Sequence, residues 1–189
     1  MKIYFVCIFF LFFSESCAYR LSNNVDTLPN SVKIIYIPIF LNESSEPNVE
    51  VPFTNSLRTE ALRFGKLKLV DAESKSEAIL SGTIKSVELA SSESIVEAEN
   101  TTYLPFGTVL TTQVKVTVAL LIKLTDTKTK KILWSSEYKQ SKNYTPPQIT
   151  LPVLNSANNL YNLSERRQTL ETLSKDMMQL AFDRLVDNF

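Results

Sequence analysis

Cys17 is the residue whose position most directly implies chemistry in this chain of 189 residues. Lys2 precedes an uncharged apolar run over residues 3–13, and the small residues Ser14 and Ser16 flank Glu15 just before the cysteine. A run that short does not cross a bilayer core, which takes roughly 20 apolar residues. A cation followed by a short apolar stretch and small residues has the form of a secretory signal. Cleavage before Cys17 would remove Cys7 with the signal and leave a mature chain with one cysteine. That thiol cannot close an intrachain disulfide. The chemistry that fits it is thioether acylation, which makes Cys17 a membrane anchor, each buried CH₂ adding about 0.8 kcal/mol. Serine and glutamate at positions 14 and 15 depart from the usual lipidation signal, where an aliphatic residue stands. The competing reading is an ordinary cleaved signal with an incidental cysteine.

The other chemistry is defined by what composition excludes. There is no histidine in the chain, so imidazole bases, imidazole metal ligands and Ser-His or Cys-His dyads are all ruled out. Gly65, Gly82 and Gly107 are too dispersed for a phosphate-cradling loop. The expectation is a non-enzyme with no cofactor and no metal. Lys and Arg balance Asp and Glu at a formal net charge of +0, which disfavours nucleic acid as a partner. The residues left for contact are aromatics and lysines. Tyr103, Phe106, Tyr144 and Tyr161 fall in loop-like stretches, where they either face a partner or fold back over the core. Lys128, Lys130 and Lys131 sit on a turn, and Lys139 and Lys142 lie where the last strand meets a long loop. Both sets are candidates for an anionic lipid, or else ordinary solvated charges.

The elements that must carry these residues follow from periodicity. Residues 1–16 read as the signal, 17–31 as the lipidated N-terminus and tether, and 32–189 as a single domain. Residues 32–40 are β-branched and apolar on both faces, which predicts a strand, with Pro38 near an edge or a strand end. Pro52 suits the first turn of a helix, and Phe53, Leu57, Ala61 and Phe64 continue it until Gly65 closes it. Two strands follow, over 67–70 and 77–89, and then a polar, acidic loop over 91–107. Val114, Val116, Val118, Leu120, Ile122 and Leu124 alternate with polar residues, the pattern of a half-buried strand. Asp126 to Lys131 predicts a hairpin turn, and the return strand runs from Ile132 through Gln140. Residues 142–163 form a long loop, which at more than about 12–15 residues is usually functional or disordered. Asn162 with Glu165 predicts a capping box for a last helix, whose apolar face carries Leu170, Leu173, Met177, Leu180, Ala181 and Leu185. The fold class expected is α+β, a two-layer sandwich with two helices packed on one face of a mostly antiparallel sheet of about four to five strands.

This order of motifs resembles the LptE family of lipopolysaccharide-assembly lipoproteins. Cys17-Ala18-Tyr19-Arg20-Leu21 is similar to the start of mature members. Leu28-Pro29, the stretch from Ile37 to Glu43, the helix around Leu57, Leu69-Val70-Asp71, the stretch from Glu77 to Ile84 and the hairpin with Asp126 and Trp134 follow in the family's order. The resemblance implies an outer-membrane lipoprotein, lipid-anchored on the periplasmic side, that partners and plugs the LptD β-barrel and helps deliver lipopolysaccharide. It also implies contact with the barrel through Tyr103, Phe106, Tyr144 and Tyr161, and possible lipopolysaccharide contact at the five lysines. Some members carry a base in the loop that here holds Glu93, Glu97 and Glu99, so that contact does not carry over. The first half is also similar to CsgG- and TolB-like periplasmic domains, which would make the chain a scaffold of a secretion or envelope complex.

Overall fold

The computed structural model describes residues 28–93, 96–97, 109–110, 113–145 and 159–187. Cys17, the tether up to residue 27, Tyr103, Phe106 and most of the loop before the last helix lie outside them.

The chain enters through a 3-10 turn at Pro29–Ser31 and forms β1 (Ile34–Tyr36) and β2 (Leu41–Asn42). The single strand expected over 32–40 is therefore two strands, broken around Pro38, whose nitrogen cannot donate to a ladder. The backbone groups freed by the break are taken up by the helix that follows, α1 (Glu50–Arg63). Arg58 Nη2 donates to the Ile37 carbonyl at 2.7 Å, and Thr54 Oγ1 accepts the Phe40 N–H at 3.0 Å. Gly65, at φ 70°, closes α1 in the left-handed region, where glycine costs least.

β3 (Lys68–Val70) and a 3-10 turn at Glu73–Lys75 lead into β4 (Ala78–Glu93). Short β5 (Val96–Glu97) and β6 (Val109–Leu110) pair with each other as a separate ribbon. Then come β7 (Gln113–Asp126), β8 (Ile132–Tyr144) and α2 (Asn159–Asp187). The main sheet runs β3-β1-β4-β7-β8, with β2 also on β4. β1 is parallel to β3 and β4, and β2 is parallel to β4, whereas β4-β7-β8 is an antiparallel meander. This is the two-layer α+β sandwich expected, with a mixed rather than almost wholly antiparallel sheet.

One face of the sheet is dry. Val116, Val118, Leu120, Ile122 and Leu124 of β7 are all buried, as their alternation requires, and they join Leu80 and Ile84 of β4. α1 covers this face with Phe53, Leu57 and Ala61, and α2 with Leu170, Leu173, Met177, Met178, Ala181, Phe182 and Leu185. The helices meet at their C-terminal ends, where the Phe64 and Phe182 rings pack edge to face with centroids 5.6 Å apart.

Candidate functional site

The sheet has two ends, and the candidate residues divide between them. At the end where the chain enters, the β7–β8 turn is built by its first residue. Asp126 Oδ1 accepts from the Lys128 N–H at 3.0 Å, the Thr129 N–H at 2.7 Å and Thr129 Oγ1 at 2.9 Å. These bonds, the Thr129 backbone first, hold the Asp126 carboxyl below the usual carboxylate range. Lys130 turns the corner at φ 56°. The turn is fixed to the segment before β4: Thr127 N donates to the Glu77 carbonyl at 3.0 Å, the Ser76 and Thr127 hydroxyls are 3.0 Å apart, and Lys130 Nζ reaches Glu73 Oε1 at 2.5 Å. Glu77 in turn accepts the Lys33 N–H at 2.8 Å and the Ile34 N–H at 3.1 Å through Oε2. The Lys33 N–H is the largest cause of a lowered Glu77 pKa. Lys128, Lys130 and Lys131 are thus exposed cations on an ordered platform.

Lys139 and Lys142 are not brought together. The β7–β8 register is unbroken from Trp134 to Tyr144, so residues three apart on β8 point to opposite faces. Lys142 shares the parity of Tyr138 and Tyr144 on the helix side, where its Nζ lies 3.6 Å from Asp176 of α2. Lys139 stands on the helix-free side.

Tyr144 is the last residue of β8, not a loop residue, and it is buried under α2. Burial raises its hydroxyl pKa. It lines, with Lys142, Glu165, Gln168, Thr169 and Thr172, a cleft of about 410 Å³ between the end of β8 and the first turns of α2. Tyr161 falls within α2, which begins at Asn159, so Asn162 is inside the helix and does not cap it. The side chain of Tyr161 lies outside the described residues.

Sequence reasoning missed the polar knot beside this end. Asn42 Nδ2 donates to the Glu46 carbonyl at 2.7 Å and to Glu50 Oε2 at 3.1 Å, while its Oδ1 accepts from Ser44 N and Oγ. Arg166 of α2 pairs with Glu46, and burial lowers its pKa. These residues border a cleft of about 670 Å³ walled by Val49, Leu163, Arg167 and Leu170. A groove of about 560 Å³ runs between the outer faces of α1 and α2, and Ser56 and Ser174 join hydroxyls at 2.9 Å beneath it. Asn42 to Glu46 reads only as a polar loop in sequence; its one signal is the Asx-turn chemistry of Asn42 followed by Ser44. Among the described residues no three Cys, Asp or Glu side chains gather as a metal site would require. The surfaces offer contact chemistry: cations at one end, and clefts with mixed apolar and polar walls at the other.

Solved structures similar to this chain include three lipoproteins or envelope proteins. Lipoprotein B from Nitrosomonas europaea is 19% identical, with 87% of each chain covered and a TM-score of 0.48. Lipoprotein GNA1162 from Neisseria meningitidis is 16% identical over 72% of this chain and 94% of that one, with a TM-score of 0.42. The PelC dodecamer subunit from Paraburkholderia phytofirmans is 12% identical over 84% and 92%, with a TM-score of 0.44. No curated protein matches the sequence significantly. The family match is specific: residues 32–187, from the entry to β1 through the end of α2, fit the model described as LptE, lipopolysaccharide-assembly. The chain belongs to the LptE lipopolysaccharide-assembly family.

Proposed function

We propose that this chain is an outer-membrane lipoprotein that partners and plugs the LptD β-barrel and supports delivery of lipopolysaccharide to the outer surface. The observation that carries the reading is the family match across 32–187, which takes in every element of the main sheet and both helices. The role is one of assembly and contact rather than catalysis. Acylation of Cys17 supplies the anchor, and the periplasmic side of the outer membrane is where an anchored partner would meet the barrel. The far-end clefts beside Tyr144 and Arg166, together with Tyr103, Phe106 and Tyr161, are the contact residues assigned to the barrel.

Affinity isolation of the full chain from solubilised envelopes tests this directly. A stoichiometric outer-membrane barrel of the LptD type is the result expected; recovery of a secretion channel, or of no barrel, would overturn the reading. Mass spectrometry should show an N-terminal peptide beginning at Cys17 with added acyl mass. Lipopolysaccharide contact is a separate matter of location. Lys131 and Lys142 are separated by roughly 35 Å along β8, so the turn lysines and Lys142 cannot share one headgroup. Binding of purified lipopolysaccharide, measured with Lys128, Lys130 and Lys131 changed to Gln, and separately with Lys139 and with Lys142 changed, assigns the contact.

A further inference from the structure

We propose that the end of the sheet carrying the β7–β8 turn is a surface that lies against the anionic phospholipid headgroups of the bilayer to which the chain is tethered. The inference rests on the anchored reading above but concerns a different ligand, phospholipid rather than cargo.

Four separate segments bring lysines to this one end. Lys33 precedes β1, Lys68 begins β3 beside it, Lys75 ends the 3-10 turn, and Lys128, Lys130 and Lys131 cap the hairpin. Lys68 N donates to the Lys33 carbonyl at 2.8 Å, and Lys130 reaches Glu73, so the segments are physically joined. All six side chains are exposed. The neighbouring carboxylates are turned to internal work. Asp126 is bound by its own turn, Glu77 by two backbone N–H groups, and Glu73 by Lys130. Asp71 lies beyond the other end of β3. The chain is neutral overall, yet its outward-reaching charges here are cations.

An apolar residue accompanies them. Ile132, next to Lys131, keeps 51% of its surface exposed at the start of β8. Cations beside an exposed aliphatic side chain suit a headgroup layer, where ammonium meets phosphate and the apolar group enters the acyl boundary. Geometry then places the bilayer at this end. The described chain starts at Leu28, in the turn that leads to Lys33, and eleven residues separate it from Cys17. Even fully extended that span reaches at most about 40 Å. The acyl chains hold the protein at the membrane, and the lysine end sets which way the sandwich stands on it. The far end, with its clefts, is then directed away from the lipid and toward a partner.

The test uses the chain from residue 17 with Cys17→Ser, so that no acyl group contributes. Flotation is measured with vesicles of phosphatidylethanolamine and phosphatidylglycerol, with vesicles of phosphatidylcholine alone, and with purified lipopolysaccharide. The result expected is salt-reversible binding to the phosphatidylglycerol vesicles that falls by at least about tenfold when Lys128, Lys130 and Lys131 become Gln, since each cation near an anionic surface contributes about 1 kcal/mol. The same three changed to Arg should bind as the parent does, which separates charge from folding. Ile132→Ser should weaken binding further. Equal binding to both vesicle types, an unchanged Gln variant, or loss confined to lipopolysaccharide would overturn the proposal. Barrel isolation by the acylated full chain carrying the Gln changes reports on the assembly role independently, and its persistence would leave that role standing whatever the vesicles show.

Discussion

Gly82 of β4 lies directly under the ring of Phe40: a Cβ built on the glycine would stand 2.2 Å from Cε2 of that ring. Phe40 is 3% exposed and lies between the break at Pro38 and β2, so its ring has little room to withdraw. Glycine is therefore required at 82 by close approach and not by a turn. Gly82→Ala should destabilise by about 1–3 kcal/mol, the usual cost of forcing atoms into a packed site. Combining it with Phe40→Leu should recover part of that loss, because the smaller side chain vacates the contact. Chemical denaturation of the three proteins checks this; independent, additive losses would contradict it.

The broken first strand gives a second prediction. Thr54 Oγ1 accepts the Phe40 N–H and donates to the Glu50 carbonyl at 2.6 Å, and its residue is buried. Thr54→Val keeps the shape and removes the acceptor, leaving a buried N–H unpaired at a cost of about 1–3 kcal/mol. Amide exchange at Phe40 should speed up in the variant by more than the global loss of stability explains. Arg58→Met should act alike on the Ile37 carbonyl, though water can reach that half-buried site and soften the effect.

These two sites show why part of the fold could be read in the sequence and part could not. Val116 to Leu124 alternate strictly, and every second residue is buried as alternation demands. Phe53, Leu57 and Ala61 keep helical spacing and face the core. Both patterns are local and repeat. The division of β1 from β2 is not local, because the groups freed near Pro38 are satisfied by Arg58 and Thr54 from another element. β8 continues past Gln140 to Tyr144 because β7 supplies a partner as far as Val114; the polar sequence Lys139 to Asn143 gives little sign of it. The separation of Lys139 from Lys142 was legible in principle, since an odd spacing on a strand always divides the faces. For Cys17, Tyr103 and Phe106 the described residues offer no geometry.

Acid should loosen the tether end first. Glu77 and Asp126 both have pKa values lowered by hydrogen bonds, chiefly from the Lys33 and Thr129 backbones respectively. A carboxylate with a depressed folded pKa stabilises above its unfolded pKa, and the stabilisation is lost as pH falls through the folded value. The loss therefore begins in the ordinary carboxylate range and continues below it. Glu77→Gln should flatten the dependence of stability on pH across that interval and leave neutral pH the less favoured condition relative to the parent. A parallel pH profile for parent and variant would show that Glu77 plays no part.

Tyr138 offers the opposite sign of effect. It is 5% exposed on the helix side of β8, and Arg184 of α2 lies over its ring with the guanidinium carbon 5.5 Å from the centroid. Its hydroxyl is buried without a hydrogen-bond partner. A buried polar group left unpaired costs about 1–3 kcal/mol, whereas removing it leaves the ring and its cation contact in place. Tyr138→Phe should therefore match or exceed the parent in stability, while Tyr138→Ala, which empties the site beneath α2, should lose about 3–5 kcal/mol. The pair separates ring from hydroxyl, because only the ring holds β8 against α2. Thermal unfolding of the two variants decides it: a Phe variant less stable than the parent by as much as the Ala variant would mean that the hydroxyl, and not the ring, secures the last strand.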